Sequence, residues 1–227
     1  MSWLITGAEK TPVDPIFNNV SLLLHGNGTN GSTTITDSSP SPKTVTAVGN
    51  AQISTAIADP FGSSTGVIAF DGTGDTLDIA AAISFADSES FTLECFLYKN
   101  VGGYGNVFGG GPQIGYDLSA SPGTSTGTIY MFFAGGFGVE ASGTAVTLNT
   151  WNHLAWTREG STCRAFVNGV LQGSGTRSNA FSFSVIGATT SGGAQAVNGY
   201  IDDLRITKGV ARYTADFTPP TAPFPDI

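Results

Sequence analysis

Hydrophobic and polar residues alternate with period two along most of the chain, and Gly, Asn, Asp and Pro break the alternation at short intervals. Helical spacing of apolar positions is nearly absent. The pattern predicts strands over 20–24, 44–48, 52–55, 67–70, 76–79, 91–98, 106–108, 113–118, 128–133, 138–141, 151–158, 162–167, 183–186 and 200–207. The clearest hairpin joins 151–158 to 162–167 through Glu159-Gly160-Ser161, a three-residue loop whose glycine takes positive φ. Asn168-Gly169 marks a second tight turn. Many short strands at regular spacing predict an all-β sandwich or barrel.

Composition narrows the classes. The 227 residues carry 9 Lys plus Arg against 17 Asp plus Glu, a net charge of −8, and only 11% of residues are charged. Such a surface cannot release counterions from a phosphate backbone, so no nucleic-acid partner is expected. With 40% hydrophobic residues the chain can build a core without a disulfide or metal. Cys95 and Cys163 stand far apart, within strands, and read as buried thiols. No apolar run approaches the ~20 residues that span a bilayer, so no membrane insertion is expected. Met1–Lys10 lacks the basic and apolar regions of an export signal.

Three glycine-rich stretches, 27–31, 101–111 and 191–199, read as loops. Tyr104, Phe108, Tyr116 and Phe137 lie in or beside them, and Trp151 opens a strand. These five aromatics are the candidate carbohydrate contacts. Trp156 shares a face with Leu154 and belongs to the core. Asp71 and Asp75 flank Gly72-Thr73-Gly74 and read as turn caps. Glu94 is expected to pair with Arg158 or Arg164 on a neighbouring strand. No Glu-x-Asp-x-Glu triplet and no Gly-x-Ser-x-Gly elbow occurs, and the chain is read as non-enzymatic.

Four motifs in order resemble the LamG-like, concanavalin A-like jelly-roll family. They are Phe70-Asp71-Gly72-Thr73-Gly74-Asp75, Phe91-Thr92-Leu93-Glu94, Thr150-Trp151-Asn152-His153-Leu154-Ala155 leading to Phe166-Val167-Asn168-Gly169, and Tyr200-Ile201-Asp202-Asp203-Leu204-Arg205-Ile206. The resemblance implies a two-sheet antiparallel jelly-roll sandwich over 20–207, with an attachment segment at 1–19 and a proline-rich tail at 208–227. Leu22-Leu23-Leu24 with the Gly/Asn-rich 27–32, and the closing segment from Gly209 to Pro220, resemble LamG-like proteins of tailed bacteriophages, cyanophages included. That likeness implies a virion surface protein, a tail fibre or head decoration. Its partners would be other virion proteins, further copies of itself and host-surface polysaccharide. A free lectin is the alternative.

Alternation places Asp202 on the face of Leu204 and Ile206, the core side, where a carboxylate needs a partner. Turn N–H groups, Arg212 or a structural Ca²⁺ of the kind the wider family carries would serve. The ion would be held by Asp202, Asp37 and the neighbourhood of His25. Asp202 and Asp203, being adjacent, are expected to point to opposite faces. Trp3, Leu4 and Ile5 at one end, and Phe217 and Phe224 at the other, are the candidate assembly anchors. The tail segment itself reads either as packed on its own sandwich or as an arm to a neighbour.

Overall fold

The computed structural model describes residues 13–117, 126–133 and 135–227. The N-terminal anchor candidates Trp3, Leu4 and Ile5 lie outside the described residues. After a short 3-10 turn at Phe17–Asn19, the chain forms β1 (Val20–Leu24), β2 (Val45–Val48), β3 (Gln52–Ser54), β4 (Val67–Asp71) and β5 (Thr76–Phe85). It continues through β6 (Phe91–Lys99), β7 (Tyr104–Gly109), β8 (Gln113–Asp117), β9 (Thr126–Phe133) and β10 (Gly136–Ala145). The last five strands are β11 (Trp151–Glu159), β12 (Thr162–Val167), β13 (Val170–Thr176), β14 (Phe181–Ile186) and β15 (Asn198–Lys208).

All pairings are antiparallel and fall into two sheets. The eight-stranded sheet runs β13-β12-β11-β6-β15-β4-β3, with β1 on the far half of β15. The seven-stranded sheet runs β10-β9-β8-β7-β14-β5-β2. The inward residues of both sheets form one core that includes Leu93, Cys95, Leu97, Ile129, Met131, Phe133, Leu154, Trp156, Ile201 and Leu204. This is the jelly-roll sandwich that the family resemblance implies, and one of the two all-β architectures that the alternation allows. Cys95 and Cys163 are unbridged and buried. At one end of the core Arg158 donates to the carbonyls of Ala86, Glu89 and Asn179 at 2.8–2.9 Å, which satisfies a buried guanidinium without a carboxylate.

Two register slips change the sequence-based assignment of faces. In β7 the slip falls between Asn106 and Phe108, so Val107 and Phe108 both enter the core. In β15 it falls between Asp202 and Arg205, with Asp203 at φ 44°. Ile201 and Leu204 face inward, and Asp202 stands outward opposite Phe96. The expectation that Asp202 shares the face of Leu204 is corrected by this bulge.

Part of the outer face of the eight-stranded sheet, around Phe96, His153 and Arg205, is covered by the chain's own tail. Arg205 binds Glu94 at 2.9 Å and Asp14 at 3.2 Å, and Arg212 binds Asp14 at 2.6 Å. The Tyr213 hydroxyl donates to Glu94 at 2.8 Å, and His153 Nε2 lies 3.3 Å from the same carboxylate. Glu94 is therefore paired with Arg205, not with Arg158 or Arg164. Burial opposes its ionisation, and the Arg205 guanidinium with His153 outweighs burial, bringing the carboxyl down to about 2. Phe217 stacks on Tyr213 with ring centroids 3.6 Å apart, and Phe224 sits 3.7 Å over the Arg205 guanidinium. Phe224 is 4% exposed. Both anchor candidates of the tail are therefore docked on their own sandwich, because a buried cation and an aromatic patch on the sheet offer them partners within reach.

Candidate functional site

The outer face of the seven-stranded sheet bears a groove of about 220 Å³. It is lined by Tyr104, Gln113, Asp117, Thr128, Tyr130, Phe132, Phe137, Glu140 and Gln195. Strand register assembles it. Tyr104, Asp117 and Thr128 lie opposite one another on β7, β8 and β9. Gln113, Phe132 and Phe137 form a parallel row on β8, β9 and β10. Between the rows, Tyr130 stands opposite Gly115, which in turn stands opposite Asn106.

That middle row makes the floor. Tyr130 reaches past Gly115 on β8, and its hydroxyl donates to Asn106 Oδ1 on β7 at 3.2 Å. Asn106 is fully buried and donates in turn to Gln195 at 2.7 Å and to Thr189 at 3.1 Å, which ties the 189–195 loop to the groove. Burial and the Asp117 charge push the Tyr130 hydroxyl up to about 12, so it stays a neutral donor. Phe132 and Phe137 meet edge to face at 5.0 Å. Phe137 and Tyr104 are 45% and 50% exposed, so both rings present open surface beside polar groups. The Tyr104 hydroxyl bonds to Asp117. Amphipathic rings flanked by amides and carboxylates suit the apolar faces and hydroxyl edges of sugars.

Of the five sequence-based contact candidates, the structure brings two, Tyr104 and Phe137, into this groove. Phe108 and Tyr116 are fully buried and cannot touch a sugar. Phe108 is turned inward by the β7 slip. Tyr116 fills the space above Gly105, where an added Cβ would lie 2.1 Å from the tyrosine hydroxyl oxygen. Trp151 lies on the other sheet, edge to face with Tyr98 at 5.6 Å, with Nε1 donating to the Ala58 carbonyl at 3.0 Å. Sequence reasoning missed Tyr130 and Phe132. Their signal was present, since Thr128, Tyr130 and Phe132 are the outward positions of one alternating strand.

Of the calcium candidates, His25 and Asp202 line one recess and Asp37 stands apart from it. Asp37 accepts N–H bonds from Leu23, Ser39 and Lys43 at 2.7–3.0 Å, so its oxygens serve a backbone loop. Asp202 Oδ1 accepts from Gly26 at 2.7 Å and Asp203 at 2.9 Å. Asp203 takes the His25 ring nitrogen and the Phe224 N–H. His25, Asp202, Asp203 and Asp59 line one small recess, so the two adjacent aspartates share a site rather than opposite faces. Among the described residues no group of three or more His, Cys, Asp or Glu is arranged to hold a metal ion.

A family model described as Laminin_G_3, concanavalin A-like lectin/glucanases superfamily, matches residues 71–212. A search of curated proteins found no match. Among solved structures, domain 4 of AbnA, an extracellular arabinanase of Geobacillus stearothermophilus in complex with arabinotriose, aligns at TM-score 0.53 and 16% identity, covering 84% of this chain and 94% of that one. A mutant of Trypanosoma rangeli sialidase aligns at 0.52 and 12% identity, over 84% of this chain and 31% of that one. The enzymatically active domain of bacteriophage CBA120 tailspike protein 2 aligns at 0.52 and 12% identity, over 81% and 30%. Against the last two the chain spans less than a third of the partner's length.

Proposed function

The chain belongs to the concanavalin A-like lectin/glucanase superfamily, and on that premise we propose that it is a non-enzymatic glycan-binding protein whose contact surface is the groove on the seven-stranded sheet. The observation that carries this reading is the convergence of Tyr104, Tyr130, Phe132 and Phe137 with Gln113, Gln195, Asp117 and Glu140 on one outer sheet face. The fold is the lectin/glucanase-like, carbohydrate-binding one. The burial of Glu94, the acid that alternation places mid-strand, under the tail supports the non-enzymatic reading.

The setting we propose is a phage virion surface, with the protein in a tail fibre or head decoration, as a homo-oligomer among other virion proteins, engaging host-surface polysaccharide. The likeness of its opening and closing segments to phage LamG-like proteins supports this. So does the fold it shares with a phage tailspike domain. Immunolabelling of intact particles tests the placement, and absence from purified virions would remove it.

Binding is tested on a glycan array with wild type and a Tyr104→Ala/Phe137→Ala variant. Glycans retained by the wild type and lost from the variant are expected. Equal retention of every glycan by both would overturn the assignment of the groove. Incubation with the retained polysaccharide should release no new reducing ends. Turnover that falls in Asp117→Asn or Glu140→Gln would replace this reading with a hydrolase.

A further inference from the structure

The eight-stranded sheet presents a second surface of the same chemical kind at the end its tail leaves bare. Gln52, Ala69, Tyr200, Tyr98 and Trp151 stand directly opposite one another on β3, β4, β15, β6 and β11. Their flanking residues Ile53, Ile68, Ile201 and Leu97 face the core, so this row faces outward. With strands about 4.8 Å apart, the row runs roughly 19 Å across the sheet. Tyr98 meets Trp151 at 5.6 Å and Tyr200 at 5.8 Å, both edge to face, which locks the three rings in place.

Beside Tyr200 the row opens into a cavity of about 610 Å³. Its walls are amides and carboxylates. Asn100 donates to Asn198 at 3.2 Å, Asn198 donates to the Asp71 carbonyl at 2.9 Å, and Asn50 donates to the Asp71 carboxylate at 3.2 Å. Asp75 is buried and holds the wall by accepting the N–H groups of Asn50 at 2.5 Å and Asp71 at 2.7 Å. Among the described residues no Lys or Arg lines the cavity.

The small Ala69 between Gln52 and Tyr200 leaves the floor low, so a ring lying on Tyr200 would have its edges against Gln52 and the asparagines. The tail, which covers Phe96, His153 and Arg205 with Phe217 and Phe224, contributes nothing to this end of the face.

We propose that this cavity is a second saccharide site, on the sheet opposite the first groove, and that it takes uncharged oligosaccharide stacked on Tyr200 and hydrogen-bonded by Gln52, Asn50, Asn100 and Asn198. Neutral glycan is favoured because Asp71 and Asp75 repel anionic sugars and no cation lines the walls. With sites on both sheet faces, one chain engages two polysaccharide strands. The site stands apart from the first groove, and its failure leaves that groove's assignment intact.

The test is ¹H–¹⁵N NMR titration of the full chain with cellohexaose, xylohexaose, laminarihexaose and arabinohexaose, with an oligogalacturonate as anionic control. At least one neutral hexasaccharide is expected to shift the amides of Gln52, Asn100 and Asn198, and the oligogalacturonate to leave them in place. Tyr200→Ala and, separately, the half-buried rim variant Gln52→Ala should each weaken that binding, the former about tenfold or more. Tyr104→Ala/Phe137→Ala should leave it unchanged. Shifts confined to residues of the seven-stranded sheet, or none with any of the four saccharides, would overturn the proposal. So would dimerisation that perturbs Gln52, Asn100 and Asn198 in the absence of sugar.

Discussion

Replacing Glu94 tests the network that binds the tail to the sandwich. Glu94 is fully buried and shared by Arg205, Tyr213 and His153. Its carboxyl is lowered from 4.5 to about 2 in the folded protein, which corresponds to about 3 kcal/mol of stability at neutral pH. Breaking a buried ion pair by removing one partner costs about 3–5 kcal/mol. Here Arg205 keeps Asp14, so Glu94→Gln should fall at the lower end. Glu94→Ala, which also leaves the Tyr213 hydroxyl unpaired, should reach the upper end. For a chain of this size that amounts to a fall in Tm of roughly 6–20 °C.

The assay is thermal and urea unfolding followed by tryptophan fluorescence between pH 7 and pH 3. A depressed carboxyl stabilises the fold above its unfolded value of 4.5 and loses that contribution as pH falls towards its folded value near 2. The gap between wild type and Glu94→Gln should therefore be widest at pH 7 and narrow steadily below about 4.5. A gap under about 1 kcal/mol at pH 7, or one that does not change with pH, would refute the assignment of Glu94 as the charged centre of the network.

Three further outcomes follow from the same structure. Burial and the neighbouring Asp203 raise Asp202 to about 7. The folded state then holds a proton that the unfolded state has lost, so stability falls as pH rises from about 4 to 7. Asp202→Asn keeps an oxygen for the Gly26 and Asp203 N–H groups and should raise stability at pH 8 by about 1 kcal/mol or more while changing little at pH 3, read as Tm at each pH. Phe224→Ala removes a ring packed on the Arg205 guanidinium and Phe96 and should cost about 3 kcal/mol, with faster proteolysis of the tail as a second readout. Burial pushes the Cys163 thiol up to about 11 and the Cys95 thiol higher still. Neither should react with dithiobis(nitrobenzoate) until the protein unfolds, and rapid labelling of native protein would contradict the packing.

The candidate sites were legible in the sequence only in part. Tyr104 and Phe137 stand out as aromatics in glycine-rich surroundings, and the structure leaves both rings exposed. The same reasoning misplaced Phe108 and Tyr116. A glycine neighbour signals either an open loop or room for a large ring, and Gly105 is the second case. Tyr130 and Phe132 were readable from strict alternation, which treats an outward aromatic on a strand as informative even without a loop beside it. The row from Gln52 to Trp151 was not readable at all, because its members lie 17, 131, 102 and 53 positions apart in successive pairs and only strand order makes them neighbours.

Period-two alternation determined by itself that this chain folds as an all-β sandwich or barrel; the two-sheet jelly roll was implied by the ordered motifs that resemble a known family. A side chain's direction along a strand depends only on local backbone geometry and on which face must be dry. It also determined that Cys95, Cys163 and Trp156 go inside. Tertiary structure alone decided three other matters: where an extra residue slips the register, as at Asp203; which outer sheet face the tail covers; and which acid meets which cation, as Glu94 meets Arg205. These depend on contacts between distant segments, whose energies are set by how the segments dock and leave no period in the chain.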